Sequence, residues 1–224
     1  MPDLALQAPF SEIRHSPATQ NLCGIKQGFR TFVHLFEYMI YPIVALGNPV
    51  LKERAKEIDL RMPELPALIE DMFETMYQAS GVGLAAPQIG KGIRLFVIDA
   101  EPMDEENLKG AKMVFINPLK IEENGTPWPY EEGCLSIPGI REEVKRPEKI
   151  TLEYLDEKGE KHKKTFEGML ARVVQHEYDH LEGKLFIEYL SPFRKKLIQN
   201  KLNDILKGKA KADYPIRFAL QTKR

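Results

Sequence analysis

A chain of 224 residues, 43% hydrophobic and 29% charged, has the length for one domain, with or without tails, around a sizeable core, and contains no internal repeat or low-complexity segment. Two cysteines far apart, with no secretory signal pattern, exclude a disulfide framework and point to a reducing cytosol. The most apolar stretch, Thr31 to Leu46, is broken by His34, Glu37 and Pro42 and is too short to span a bilayer, so no membrane partner is expected.

In chain order, residues 1–38 read as an extension of scattered Pro and Gly with balanced charge and no amphipathic period. We expect it to be dispensable, with Met39 as an alternative translation start. Asn48-Pro49 reads as N-cap and first position of a short helix to about Ile58. Leu65, Leu68, Ile69, Met72 and Met76 recur at helical spacing and predict a longer helix to Ala79. A glycine loop, Gly81 to Gln88, ends it. Seven β-rich segments follow: Ile93–Asp99, Lys112–Asn117, Lys120–Glu123, Trp128–Cys134, Arg141–Lys145, Lys149–Leu155 and Lys161–Phe166, with a hairpin turn at Glu157 to Glu160. Gly168 opens a helix whose core face is Met169, Leu170, Val173, Val174 and Leu181, and Gly183 closes it. Leu185–Tyr189 reads as a short strand, and Ser191-Pro192 caps a last helix to about Lys207. Helices at both ends and strands between them predict an α+β fold, a mostly antiparallel sheet packed on the Gly168 helix. The catalytic domain is expected to span 39–208, with 209–224 as a tail.

The chemistry sits in three segments. In His176-Glu177-Tyr178-Asp179-His180 the histidines at i and i+4 lie only about 40° apart on a helix, so both imidazoles face one metal ion with Glu177 between them. A hydrolytic centre usually takes three protein ligands and leaves one position for water. No histidine follows His180, and the candidate third ligand lies upstream, at Cys134 in Glu132-Gly133-Cys134-Leu135-Ser136, where an extended stretch ends facing the helix. Gly81-Val82-Gly83-Leu84-Ala85-Ala86-Pro87-Gln88 resembles a dinucleotide fingerprint. Such a fingerprint needs a strand before it and a helix after, whereas a helical period precedes this one and Pro87, Gly90 and Gly92 follow. It is better read as backbone approaching a ligand closely, with the Gln88 amide as donor at its end.

Together, these segments resemble the three signature motifs of the peptide deformylase family: a glycine loop ending in Gln, then Glu-Gly-Cys-Leu-Ser, then Gln-His-Glu-x-Asp-His. The resemblance runs from about Tyr41 to about Leu206. It implies removal of the N-formyl group from the methionine of newly synthesised proteins. Cys134, His176 and His180 would hold the metal, Glu177 would act as general base, and Gln88 with the Leu135 N–H would hold the oxyanion. It further implies that Val82, Gly83 and Gly133 pair with substrate backbone, that Tyr130, Met169 and Val173 line the methionine pocket, and that the cellular metal is Fe²⁺ with Zn²⁺ as substitute. Ligand chemistry alone leaves iron and zinc open.

Three other classes compete. An endopeptidase built on this helix lacks its downstream third ligand. A thiol hydrolase using Cys134 as nucleophile leaves the second histidine and Glu177 without roles. A structural metal module closes its coordination sphere with four protein ligands, and three are found here. The net charge of −1 hides one asymmetry: residues 191–224 carry ten Lys or Arg against two acids. That basic end suits attachment to ribosomal RNA, or it is a solvated helix face. A monomer is expected.

Overall fold

The computed structural model describes residues 38–104 and 106–219; most of the 1–38 extension lies outside them. Its elements are β1 (Ile43–Val44), α1 (Leu65–Gln78), β2 (Gly83–Ala85), β3 (Leu95–Asp99), β4 (Lys112–Asn124), β5 (Trp128–Cys134), β6 (Ile137–Arg146), β7 (Lys149–Leu155), β8 (Lys161–Glu167), α2 (Gly168–Leu181), α3 (Pro192–Leu206) and β9 (Ile216–Arg217). β2-β3-β4-β7-β8 form an antiparallel five-stranded sheet, β5 and β6 a separate hairpin, and β1 and β9 a short parallel ribbon. This is the α+β arrangement the element order predicts.

The central sheet is covered on both faces. Successive β3 residues point to opposite sides: Phe96 and Ile98 pack with Phe115, Phe166 and the α2 residues Val173 and Val174, while Leu95 and Val97 pack under α1 against Ile69, Met72 and Met76. A strand buried on both faces reads as an unbroken apolar run, which explains Leu95-Phe96-Val97-Ile98. Phe96 and Phe115 stack with centroids 4.3 Å apart, and Phe166 meets Phe115 edge-on. A third cluster joins the β5–β6 hairpin to α3 and includes Cys134, Ile137, Ile198 and Leu202.

Four local expectations change. The helix expected over residues 48–58 is a single 3-10 turn, Pro49–Lys52; Asn48 caps it, and the chain beyond is extended. There the Ala55 N–H bonds to the Leu181 carbonyl and the Lys56 N–H to that of Gly92, and these tertiary partners win over helix propensity. The segments read as two strands around Asn117 are one strand, β4, with a register shift between Ile116 and Leu119. Asn117 sits at φ 49°, a region asparagine tolerates, and its side chain bonds both the N–H and the carbonyl of Ile58. Leu185–Tyr189 is a 3-10 turn over Phe186–Tyr189 rather than a strand, with the Glu188 carboxylate accepting from the Leu185 N–H. The stretch set apart as a tail returns to the domain: Ile216 and Arg217 pair with Ile43 and Val44, and Ile216 and Phe218 pack against the third cluster.

Candidate active site

From Ala171 to Leu181 every residue of α2 is buried, including Arg172, Gln175, His176, Glu177, Asp179 and His180. Charged residues are almost never fully buried unless paired. A helix that turns its polar face into the protein therefore marks a built site.

The facing wall is the β5–β6 hairpin. Its pairing slips between Gly133 and Cys134, and Leu135-Ser136 makes the tight turn, so a bulge re-aims Cys134 at α2. Donor atoms of Cys134, His176 and His180 all lie within 4.8 Å of one another. Cys134 Sγ is 3.3 Å from His180 Nε2. Tetrahedral bonds to one ion place a thiolate sulfur and an imidazole nitrogen about 3.6 Å apart. One thiolate and two imidazoles thus fit a single divalent transition metal.

The electrostatics agree with the geometry. Burial favours a neutral His176, but Cys134 and Glu132 accept from it and push it up to about 10. Burial and the neighbouring His176 charge push His180 well below its ordinary range. A metal held there competes with the proton on His176.

Behind the ligands lies a closed ionic network. Glu132 Oε2 faces His176 Nδ1 at 3.0 Å, fixing the ring and leaving its other nitrogen for the metal. Arg146 donates to both Glu132 oxygens, at 2.7 and 3.0 Å, and to Asp179 at 2.6 Å, while Arg172 donates to Glu132 Oε1 at 3.0 Å. Burial alone would raise the Glu132 carboxyl, but Arg146 and His176 hold it well below the usual carboxylate range. Tyr189 completes the network by donating to Asp179 at 2.8 Å, its ring beneath the Arg146 guanidinium.

Glu177 lies next to this network but outside it. Burial pushes its carboxyl up to about 7, against the pull of His176 and Arg146, and its Oε2 has no hydrogen-bond partner among the described residues. A carboxyl poised near neutrality is what a general base at physiological pH requires. Gln88 is fixed by its own strand: Oε1 accepts from the Ala85 N–H at 2.8 Å, which turns Nε2 towards Cys134 Sγ at 3.5 Å. A Cβ at position 83 would press on the Glu177 carboxylate, so glycine there leaves that side chain its place.

A family model described as Polypeptide deformylase matches residues 40–196. The chain belongs to the polypeptide deformylase family. It is therefore a metal-dependent hydrolase, and the donor triangle is its candidate metal site. The peptide deformylase of Christiangramia forsetii is 53% identical over 189 residues, covering 80% of this chain and 96% of that protein. That of Cytophaga hutchinsonii is 49% identical over 183 residues, covering 82% and 100%. Among solved structures, the Legionella pneumophila peptide deformylase matches with TM-score 0.67 and 41% identity, over 77% of this chain and all (100%) of that one. The Arabidopsis thaliana enzyme, solved with an inhibitor, matches with TM-score 0.68 and 35% identity over 75% and 91%.

Cys134, His176 and His180 lie together with the Gln88 amide beside them, and Glu177 is near enough for its charge to act on His176; the substrate-side residues are more scattered. The Val82 carbonyl accepts the Asp99 N–H at 3.0 Å, so its peptide faces β3, and alternation turns Gly83 to the free edge of β2. Gly133 is the next-to-last residue of β5. Val173 is fully buried, Met169 packs partly exposed on the same cluster, and Tyr130 sits edge-on to Trp128 with Arg172 alongside. Sequence reasoning missed Glu132, Arg146, Arg172 and Tyr189. Glu132 was legible, because a metal-bound histidine almost always gives its other nitrogen to a carboxylate or carbonyl. The two arginines and Tyr189 carry no sequence signal.

Proposed function

We propose that in this deformylase Cys134, His176 and His180 hold the metal while Glu177, Gln88 and Leu135 handle the proton and the oxyanion. The observation that carries this reading is the Gln88 amide beside the donor triangle, with Glu177 near enough for its charge to act on His176. A divalent cation held there supplies Lewis-acid polarisation of the formyl carbonyl and acidifies water. Glu177 takes a proton from the attacking water. The Gln88 side-chain amide and the Leu135 N–H stabilise the oxygen that becomes negative at the formyl carbon. Glu177 then delivers the proton to the leaving amine, and formate and a free N-terminus depart.

The free edge of β2 at Gly83 and the strand end at Gly133 would take the nascent peptide as an added strand. Tyr130, Met169 and Val173 would border the methionine side chain. Iron is the proposed cellular metal, with zinc as a less active substitute. No helix among the described residues is long and apolar enough to cross a membrane, and we place the enzyme in the cytoplasm as a monomer. The exposed Lys196, Lys201, Lys207, Lys209 and Lys211 on and after α3 support docking to ribosomal RNA. Arg194 is instead engaged by Glu142 at 2.8 Å. Ribosome co-sedimentation should then weaken with salt and with charge reversal of these lysines.

The deciding experiment gives metal-loaded protein formyl-Met-Ala-Ser and measures formate. Release of formate with preference for Met in the first position is expected. Cleavage of internal peptide bonds with the formyl group left in place would overturn the reading.

A further inference from the structure

The turn that carries the Leu135 N–H is held from outside the catalytic motifs. Its two carbonyls are both engaged by the β1–β9 ribbon. Ser136 O accepts the N–H of Leu46, just after β1, at 2.8 Å, and Leu135 O accepts the Tyr214 hydroxyl, just before β9, at 2.7 Å. The ribbon itself is zipped by the Ile43 N–H to the Pro215 carbonyl at 2.8 Å and the Ala45 N–H to the Arg217 carbonyl at 2.9 Å. Tyr214 packs in the same cluster as the Leu135 side chain. Through Arg217, the second residue of β9, the ribbon also reaches the other arm of the site. Arg217 lies over Gly90, the residue capping the turn that carries Gln88, where a Cβ would stand 2.7 Å from its Nη2. β9 and Tyr214 lie past residue 196, where the family match ends.

We infer that the C-terminal segment is part of the active-site framework, with Tyr214 as a positioning residue that acts through the Leu135 turn. The inference rests on the oxyanion role proposed for the Leu135 N–H and Gln88. A two-residue turn beside a bulge is free to rock about its flanking strands. The N–H and the carbonyl of Leu135 flank one Cα, so holding the carbonyl leaves only the φ and ψ of that residue to reorient the N–H. Fixing the carbonyl from the far side therefore restrains the donor without occupying it. The donor then meets the developing charge already oriented, with no reorganisation at the moment of reaction.

The test is Tyr214→Phe in the full chain, which keeps the ring in its cluster and removes only the hydroxyl. It is measured beside Gln88→Ala for kcat, KM, metal content and melting temperature, with amide hydrogen exchange at residues 134–137. Loss of a whole oxyanion donor costs about 10²–10³ in kcat, and loosening one should cost about tenfold. We expect Tyr214→Phe to lower kcat about tenfold, with KM, metal content and melting temperature at wild-type values, and to speed exchange at the turn. Restoring a hydroxyl at the same reach, by replacing Tyr214 with a fluorinated tyrosine, should restore both. A Tyr214→Phe enzyme with wild-type kcat, while Gln88→Ala is slowed at least a hundredfold, overturns this inference alone. A Gln88→Ala enzyme with wild-type kcat overturns the oxyanion reading and this inference with it. A kcat loss that only follows metal loss or a lower melting temperature makes Tyr214 an ordinary structural contact and also overturns the inference.

Discussion

Gly83→Ala adds one methyl group against the side chain that moves the proton. The added Cβ would stand 2.8 Å from Glu177 Cγ and Cδ, and closer still to Oε1, whereas ordinary contact starts near 3.4 Å. The carboxylate must therefore retreat by at least 0.6 Å, the difference of those two distances. It is walled in by β2, the metal ligands and the helix it belongs to. Gly83 has no positive φ, so the backbone accepts alanine, and its N–H and carbonyl keep their direction. Overpacking of this kind costs about 1–3 kcal/mol of stability. A misplacement near 1 Å costs up to about 10²-fold in rate. Steady-state kinetics on a formyl-Met peptide should show kcat lower by about 10–100-fold, with KM and metal content nearly unchanged. Glycine at this position then serves the base rather than the substrate strand. In a Glu177→Gln background the same change should cost little more, since the group it displaces no longer takes a proton. Wild-type kcat with a raised KM, or a full multiplicative loss on top of Glu177→Gln, would refute the reasoning.

Glu177→Gln itself should keep its metal and lose about 10²–10⁴-fold in turnover; metal analysis and formate release check both. Its melting temperature should not fall, because the carboxyl it replaces is buried with an oxygen that lacks a partner among the described residues. Cys134→Ala should lose metal affinity, and equal metal content in variant and wild type would show that the third ligand is elsewhere. Glu132→Gln leaves Arg146 and Arg172 buried without their carboxylate, so unfolding should cost about 3–5 kcal/mol less in denaturant titrations and metal should bind about 10–100-fold more weakly. Anaerobically iron-loaded enzyme should outperform the zinc form and lose activity in air; equal, air-stable activities would contradict the choice of iron.

The sequence by itself determined the chemistry, because the metal helix encodes its geometry in a five-residue spacing. Two histidines four apart on a helix must share a face whatever packs around them, and the Glu between them travels along. It also determined most elements, since a 3.6 period over Leu65 to Met76 and the strand runs from Ile93 to Phe166 each declare their own partner face. Tertiary structure decided whatever depended on residues distant in the chain. Burial of α2 on all sides raised Glu177 towards neutrality, and a short motif cannot encode its own desolvation. Pairing of Arg146 and Arg172 with Glu132 joins positions whose contact exists only once the β5–β6 hairpin lies on α2. The fate of short segments was decided there too. Phe186–Tyr189 has the composition of a strand but closes a 3-10 turn, with the Glu188 carboxylate accepting from the Leu185 N–H. Ile216 and Arg217 carry too little pattern to read as a strand at all, and become one because β1 offers an open edge beside the active site.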